Sequence, residues 1–203
     1  MKNKKLRKTK RKGFFAAKYS ESFSYIRESK NFIYFSIFVF VAASLLSFLL
    51  PVPENLREQI IKFIEELISQ TEGMGQFEIT KFIFLNNLQS SFTGMILGVF
   101  FGIFPLAVAI VNGYLLGFVS SASIQSEGIF IMWRLVPHGI FELPAIFISL
   151  GIGLKFGTFI FQKNKSESFR KYLWNSLQLF VLIILPLLIA AAIIEGALIT
   201  FAG

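Results

Sequence analysis

Residues 81–123, KFIFLNNLQSSFTGMILGVFFGIFPLAVAIVNGYLLGFVSSAS, carry a single charge, Lys81, and one proline, Pro105. One helix of that length would reach roughly 60 Å, twice the ~30 Å hydrocarbon core of a bilayer. Two spans, 82–104 and 105–121, divided near Pro105, fit the thickness. The turn between them, Gly102-Ile-Phe-Pro105, is apolar, and a turn at membrane depth has to be buried in protein or line a cavity.

Working outward, residues 31–50 (NFIYFSIFVFVAASLLSFLL) form an uncharged stretch that ends at Pro51-Val-Pro53. Twenty residues of helix cover about 30 Å, which makes this the first span. Residues 54–69 differ in kind. Leu56, Ile60, Ile61, Phe63, Ile64, Leu67 and Ile68 recur at helical spacing, opposite Arg57, Glu58, Lys62, Glu65 and Glu66. This amphipathic helix is too short and too charged to cross, and suits an external or interfacial position. Downstream, 129–154 forms a fourth span broken by Pro137 and Pro144, and 175–201 a fifth, containing Pro186 and Glu195.

The chain of 203 residues is 54% hydrophobic with 26 Phe and only 16% charged residues. Soluble domains carry about 25% charge, so most soluble enzyme classes are excluded and an all-α, polytopic membrane protein with about five transmembrane helices is expected. Cysteine is absent and histidine occurs once, which removes disulfides, thiolate chemistry and most metal chemistry. Residues 1–30 form a basic tail with 11 of the 20 Lys/Arg and two glutamates. The segment from Pro51 to Lys81 sets three bases against six glutamates, and that from Lys155 to Lys171 five bases against Glu167. An odd number of crossings puts the two basic segments on one side. The positive-inside rule makes that side cytoplasmic, with the C-terminus external. Anionic lipid, rather than nucleic acid, is the expected partner of the tail.

Asn86, Asn87, Gln89, Asn112, Arg134, His138, Glu142, Gln178 and Glu195 lie within or at the ends of spans. Ionisable groups there cost roughly 2.5–3.5 kcal/mol at a helix centre and need partners. Arg134, His138 and Glu142 share one face of an unbroken helix. Pro137 favours instead a short outer segment up to Val136 and a span starting near Pro137, with His138 one turn from Glu142. A structural hydrogen-bonded pair locking the broken helix is the expected role. A proton relay is the alternative, and a metal site the weakest reading, because zinc needs three or four ligands. Glu195 would pair across helices with Arg134 or His138. No HExxH motif or nucleophile–base set occurs, so neither catalytic residues nor a cofactor are expected.

Gly94, Gly98 and Gly102 recur every fourth residue, as do Gly113 and Gly117, and Gly153 and Gly157. Such spacing allows close backbone approach between helices in lipid. Packing within one subunit is the expected use, and homo-oligomerisation through the Gly94 face the sharper one.

Asn86-Asn87, Gly94, Gly98, Gly102, Asn112-Gly113-Tyr-Leu-Leu-Gly117 and Leu135-Val-Pro137-His138-Gly139-Ile-Phe-Glu142-Leu-Pro144-Ala145 together resemble the stage II sporulation protein M family. The similarity runs from about Lys81 to Gly157. It implies an integral membrane protein without established catalytic residues. The family's namesake serves engulfment in spore formers, where it is thought to recruit cell-wall-degrading partners. The expectation is therefore a cell-membrane scaffold or assembly component that meets other membrane or cell-surface proteins. A small transporter or channel subunit using His138 and Glu142 is the alternative. Asn87, Asn112, His138 and Glu142 are the motif positions of first interest.

Overall fold

Long apolar runs leave the backbone few options, because a helix satisfies its own N–H and C=O groups where no water is available. The computed structural model describes residues 13–202, with the side chains at 127, 131–138, 141 and 195–202 outside that description. Among the described residues it is helical throughout, without strands. The helices are α1 (Phe14–Glu28), α2 (Lys30–Leu49), α3 (Glu54–Thr71), α4 (Gln76–Ile96), α5 (Ile103–Glu127), α6 (Met132–Gly157), α7 (Lys165–Leu179) and α8 (Leu185–Ala202).

Four stretches are long and apolar enough to cross a membrane: Lys30–Leu49, Ile103–Ser126, Glu142–Phe161 and Lys165–Ile194. Helix α4 has the length, at 21 residues. Asn86, Asn87, Gln89, Ser90 and Ser91 hold its hydropathy down. Residues 81–123 are divided as their length demands, at the Gly102 edge of the expected turn. A 3-10 turn, Leu97–Val99, closes α4, and the chain reverses through Phe101 (φ 58°) and Gly102 (φ 73°). Pro105 then lies in the first turn of α5, where its missing N–H costs nothing. The reversal satisfies its own backbone: Gly102 N–H donates to Gly98 O at 2.8 Å and Ile103 N–H to Phe100 O at 3.1 Å.

The fourth span corrects the sequence reading. Helix α6 runs unbroken through Pro137 and Pro144. Each proline removes one backbone bond, yet the remaining bonds have no water to compete with them, so the helix continues. In the last span, Pro186 cannot donate to Leu182, and a π-helical turn over Phe180–Ile184 absorbs the change of register between α7 and α8.

Helix α6 is the axis of the bundle, with α2 and α5 packed on one side and α4 and α8 on the other. Ala145, Leu150, Ile152 and Phe156 on α6 are essentially inaccessible, together with Met95, Leu179, Ile184 and Leu188. Serine rungs join the helices. Ser36 Oγ donates to Phe147 O at 3.1 Å, Ser47 Oγ to Tyr114 O at 2.7 Å, and Ser149 Oγ to Ser91 O at 2.5 Å. Helix α3 has no extensive contact with the rest. It buries Ile60 and leaves Phe63 and Ile68 exposed.

Candidate functional site

The glycine spacings resolve into backbone contacts within the chain. A Cβ on Gly98 would overlap the Gly153 carbonyl, and one on Gly153 would lie 2.7 Å from Gly94 O. One on Gly157 would lie 2.7 Å from Gly98 O and from Phe101 C. Gly94, Gly98 and Gly102 therefore do not share a single helix. They occupy α4, the 3-10 turn and the reversal in succession, and all three face α6. This seam fills the glycine face that homo-oligomerisation would have used. Gly113 and Gly117 do the same for α5 against α2, at the Phe40 and Ser44 carbonyls.

On the other side of α6 a cleft of about 870 Å³ opens between α2, α5 and α6. Phe40, Phe48, Leu116, Leu143 and Phe147 supply apolar wall. Ser44, Asn112, Ser120 and Glu142 supply its polar groups. Two positions singled out from sequence, Asn112 and Glu142, thus line the same cleft although 30 residues separate them in the chain. Asn112 Nδ2 donates to Val108 O at 2.9 Å, which leaves its amide oxygen to the cleft. Glu142 is 8% exposed. Pro144, also in the wall, cannot donate to the Ile140 carbonyl. Asn87 is half-buried on α4, which contributes nothing to this lining. Because α6 is continuous, positions 134, 138 and 142 fall on one helical face. The side chains of Arg134, His138 and Glu195 lie outside the described residues. No group of three or more His, Asp or Glu able to hold a metal occurs among the described residues.

The sequence reading missed a second polar site, at the other end of α6. Lys155 belongs to the helix and not to the basic loop that follows it. It is 8% exposed. Its Nζ stands 4.1 Å from the centroid of the Tyr25 ring and 5.7 Å from that of Tyr172. It donates to Ser29 Oγ at 3.1 Å and pairs with Glu28 Oε2 at 3.6 Å. Burial pushes the Tyr25 phenol above its usual range. Helix α1 is tied to α7 as well, where Gln178 Nε2 donates to Lys18 O at 3.2 Å and Ser22 Oγ at 3.3 Å. Helix α1 is therefore in contact with both α6, at Lys155, and α7, at Gln178. The available signal was small: Lys155 sits between Leu154 and Phe156, inside the apolar period of a helix rather than after it.

The model of one protein family, Stage II sporulation protein M, matches residues 32–199. The chain belongs to the stage II sporulation protein M family. Its matched region takes in α2 to α8, and hence both the cleft and the glycine seam. An uncharacterised protein of Methanocaldococcus jannaschii is 35% identical over 122 residues, covering 57% of this chain and 53% of that protein. The chain thus spans about half the length of the curated relative it matches. No solved structure matches it.

Proposed function

We propose that the protein is an integral scaffold or assembly component of the cell membrane that holds partner proteins and catalyses no reaction. It crosses five times, with α4 as the least apolar span. The N-terminus and the Lys163–Lys171 stretch are cytoplasmic, and α3 and the C-terminus external. The contact of Gln178 with α1 supports this layout, since α1 and α7, which carry parts of the two basic segments, pack together.

One observation carries the scaffold reading. The polar groups of the cleft lie between α2, α5 and α6, while the α6 interior from Ser149 to Phe156 is closed by glycine backbone contacts and by Leu150, Ile152 and Phe156. A carrier needs a continuous polar path through the bundle. A lateral cleft with a few fixed polar groups suits a neighbouring helix in the same membrane, where each interhelical hydrogen bond contributes about 0.6 kcal/mol.

The test compares wild type with Asn112→Ala and Glu142→Gln, isolated from native membranes in mild detergent. Partners identified on the wild type should be lost from both variants while their thermal stability stays near that of the parent. Proton or ion uptake by reconstituted liposomes that vanishes with Glu142→Gln would instead establish the transporter reading. External docking at α3 is separable: replacing residues 56–68 with a polar loop should release any partner bound there and leave those at the cleft.

A further inference from the structure

Helix α1 presents more than the face that packs on α7. Ser22 and Tyr25 form its buried stripe. Beside them Phe15, Tyr19 and Phe23 recur every fourth residue and are 71%, 42% and 57% exposed. Three large aromatic rings aligned on a helix that also has a polar side are costly in water. The acids lie on the opposite flank and are engaged, Glu21 by Lys18 at 2.7 Å and Glu28 by Lys155 at 3.6 Å.

Two connections fix the depth of α1. Ser29 alone joins it to α2, whose apolar run begins at Lys30. Lys18, Ser22 and Tyr25 all meet the remainder of the bundle between Lys155 and Gln178. That is the level at which the polar sequence of α7 gives way to the apolar run from Leu179 onward. Helix α1 therefore sits at the boundary of the bilayer. Its flanks carry Lys18, Arg27 and Lys30, and the twelve residues before it hold eight Lys/Arg and no acid.

We propose that α1 is an in-plane anchor for an anionic phospholipid surface. The Phe15–Tyr19–Phe23 stripe enters the acyl boundary while the basic residues engage headgroup phosphates. Each half of the device alone binds membranes weakly; an apolar stripe and a basic cluster acting together bind well. The net positive charge selects anionic over zwitterionic lipid. This inference stands apart from the scaffold reading, since it uses neither the cleft nor α3.

The chain lacks cysteine, so one introduced thiol reports one place. Full-length Phe23→Cys protein, labelled with an environment-sensitive fluorophore, is placed in nanodiscs of phosphatidylcholine alone or mixed with phosphatidylglycerol. With the anionic lipid, emission should shift to the blue and quenching by neutral acrylamide should fall about threefold, as for a group leaving water for the acyl boundary. Ser24→Cys, on the polar flank, should stay quenched in both. Changing the eight Lys/Arg of residues 1–12 to Gln should abolish the lipid dependence at position 23. Equal quenching at positions 23 and 24 in anionic discs would overturn the proposal. So would equal protection of position 23 in both lipids, which would mean that something other than anionic headgroups covers the stripe.

Discussion

Glu142 and Lys155 sit on the same helix, some three and a half turns apart, and each is 8% exposed. Their surroundings are opposite in kind. Lys155 is enclosed by its own chain, with Tyr25, Glu28, Ser29 and Tyr172 drawn from two other helices and the junction between α1 and α2. Glu142 lines an 870 Å³ cleft between α2, α5 and α6. Equal burial therefore does not mean equal role. The shell of Lys155 comes from its own chain, whereas Glu142 also borders the cleft. The glycine seam meets α6 at Gly153 and Gly157, on either side of Lys155 in the sequence.

The seam is the feature whose loss should cost most. In Gly98→Val the new side chain meets the Gly153 carbonyl, and backbone cannot step aside as a flexible side chain would. Destabilisation on the order of 3 kcal/mol is expected. It is read as a collapse of the monodisperse peak in detergent and a large drop in Tm. If Gly98→Val purified with unchanged Tm, the contrast between a sealed and an open side of α6 would fail.

Next in size is Lys155→Ala, which removes a desolvated cation–π contact and an ion pair whose acid is itself largely solvated. The expected loss is about 2 kcal/mol. It should be accompanied by faster proteolysis within α1, because α1 loses a principal tie to α6. Glu142→Gln should do much less, under about 1 kcal/mol, since the amide keeps the shape of the carboxyl group and stays polar toward the cleft. A Tm loss from Glu142→Gln equal to that from Lys155→Ala would erase the distinction drawn between them.

The architecture was largely legible because length in lipid is a hard constraint: 43 residues with one charge cannot be one span, and the chain does reverse near Gly102. Proline misled at α6. In water it marks a probable boundary, but within an apolar helix it deletes one bond and leaves the rest. Glycine spacing announced close packing without saying against what. Gly98 finds its partner, Gly153, 55 residues away, and no local pattern encodes that pairing. That Asn112 and Glu142 line one cleft was invisible for the same reason, though each was suspect alone as a polar residue in an apolar run. Lys155 was counted with the loop bases by its charge, whereas its flanking Leu154 and Phe156 were the better guide.

The finest test separates the two contributions of Tyr25 to the closed site. Tyr25→Phe retains the ring that faces Lys155 and deletes a buried hydroxyl, so at neutral pH the lock should hold and Tm should change little, within about 0.5 kcal/mol. The difference should appear in alkali. Burial raises the Tyr25 phenol above its ordinary value of 10.0, so the folded chain favours the neutral form. A group raised in this way contributes its full stability below 10.0 and loses it as pH climbs toward the folded value. Wild-type Tm, measured from about pH 8 to about pH 11 across the tyrosine range, should therefore fall more steeply than that of Tyr25→Phe, and the curves should part only near the upper end. If they stay parallel, the phenol is solvated, and the Lys155 site is more open than its distances indicate.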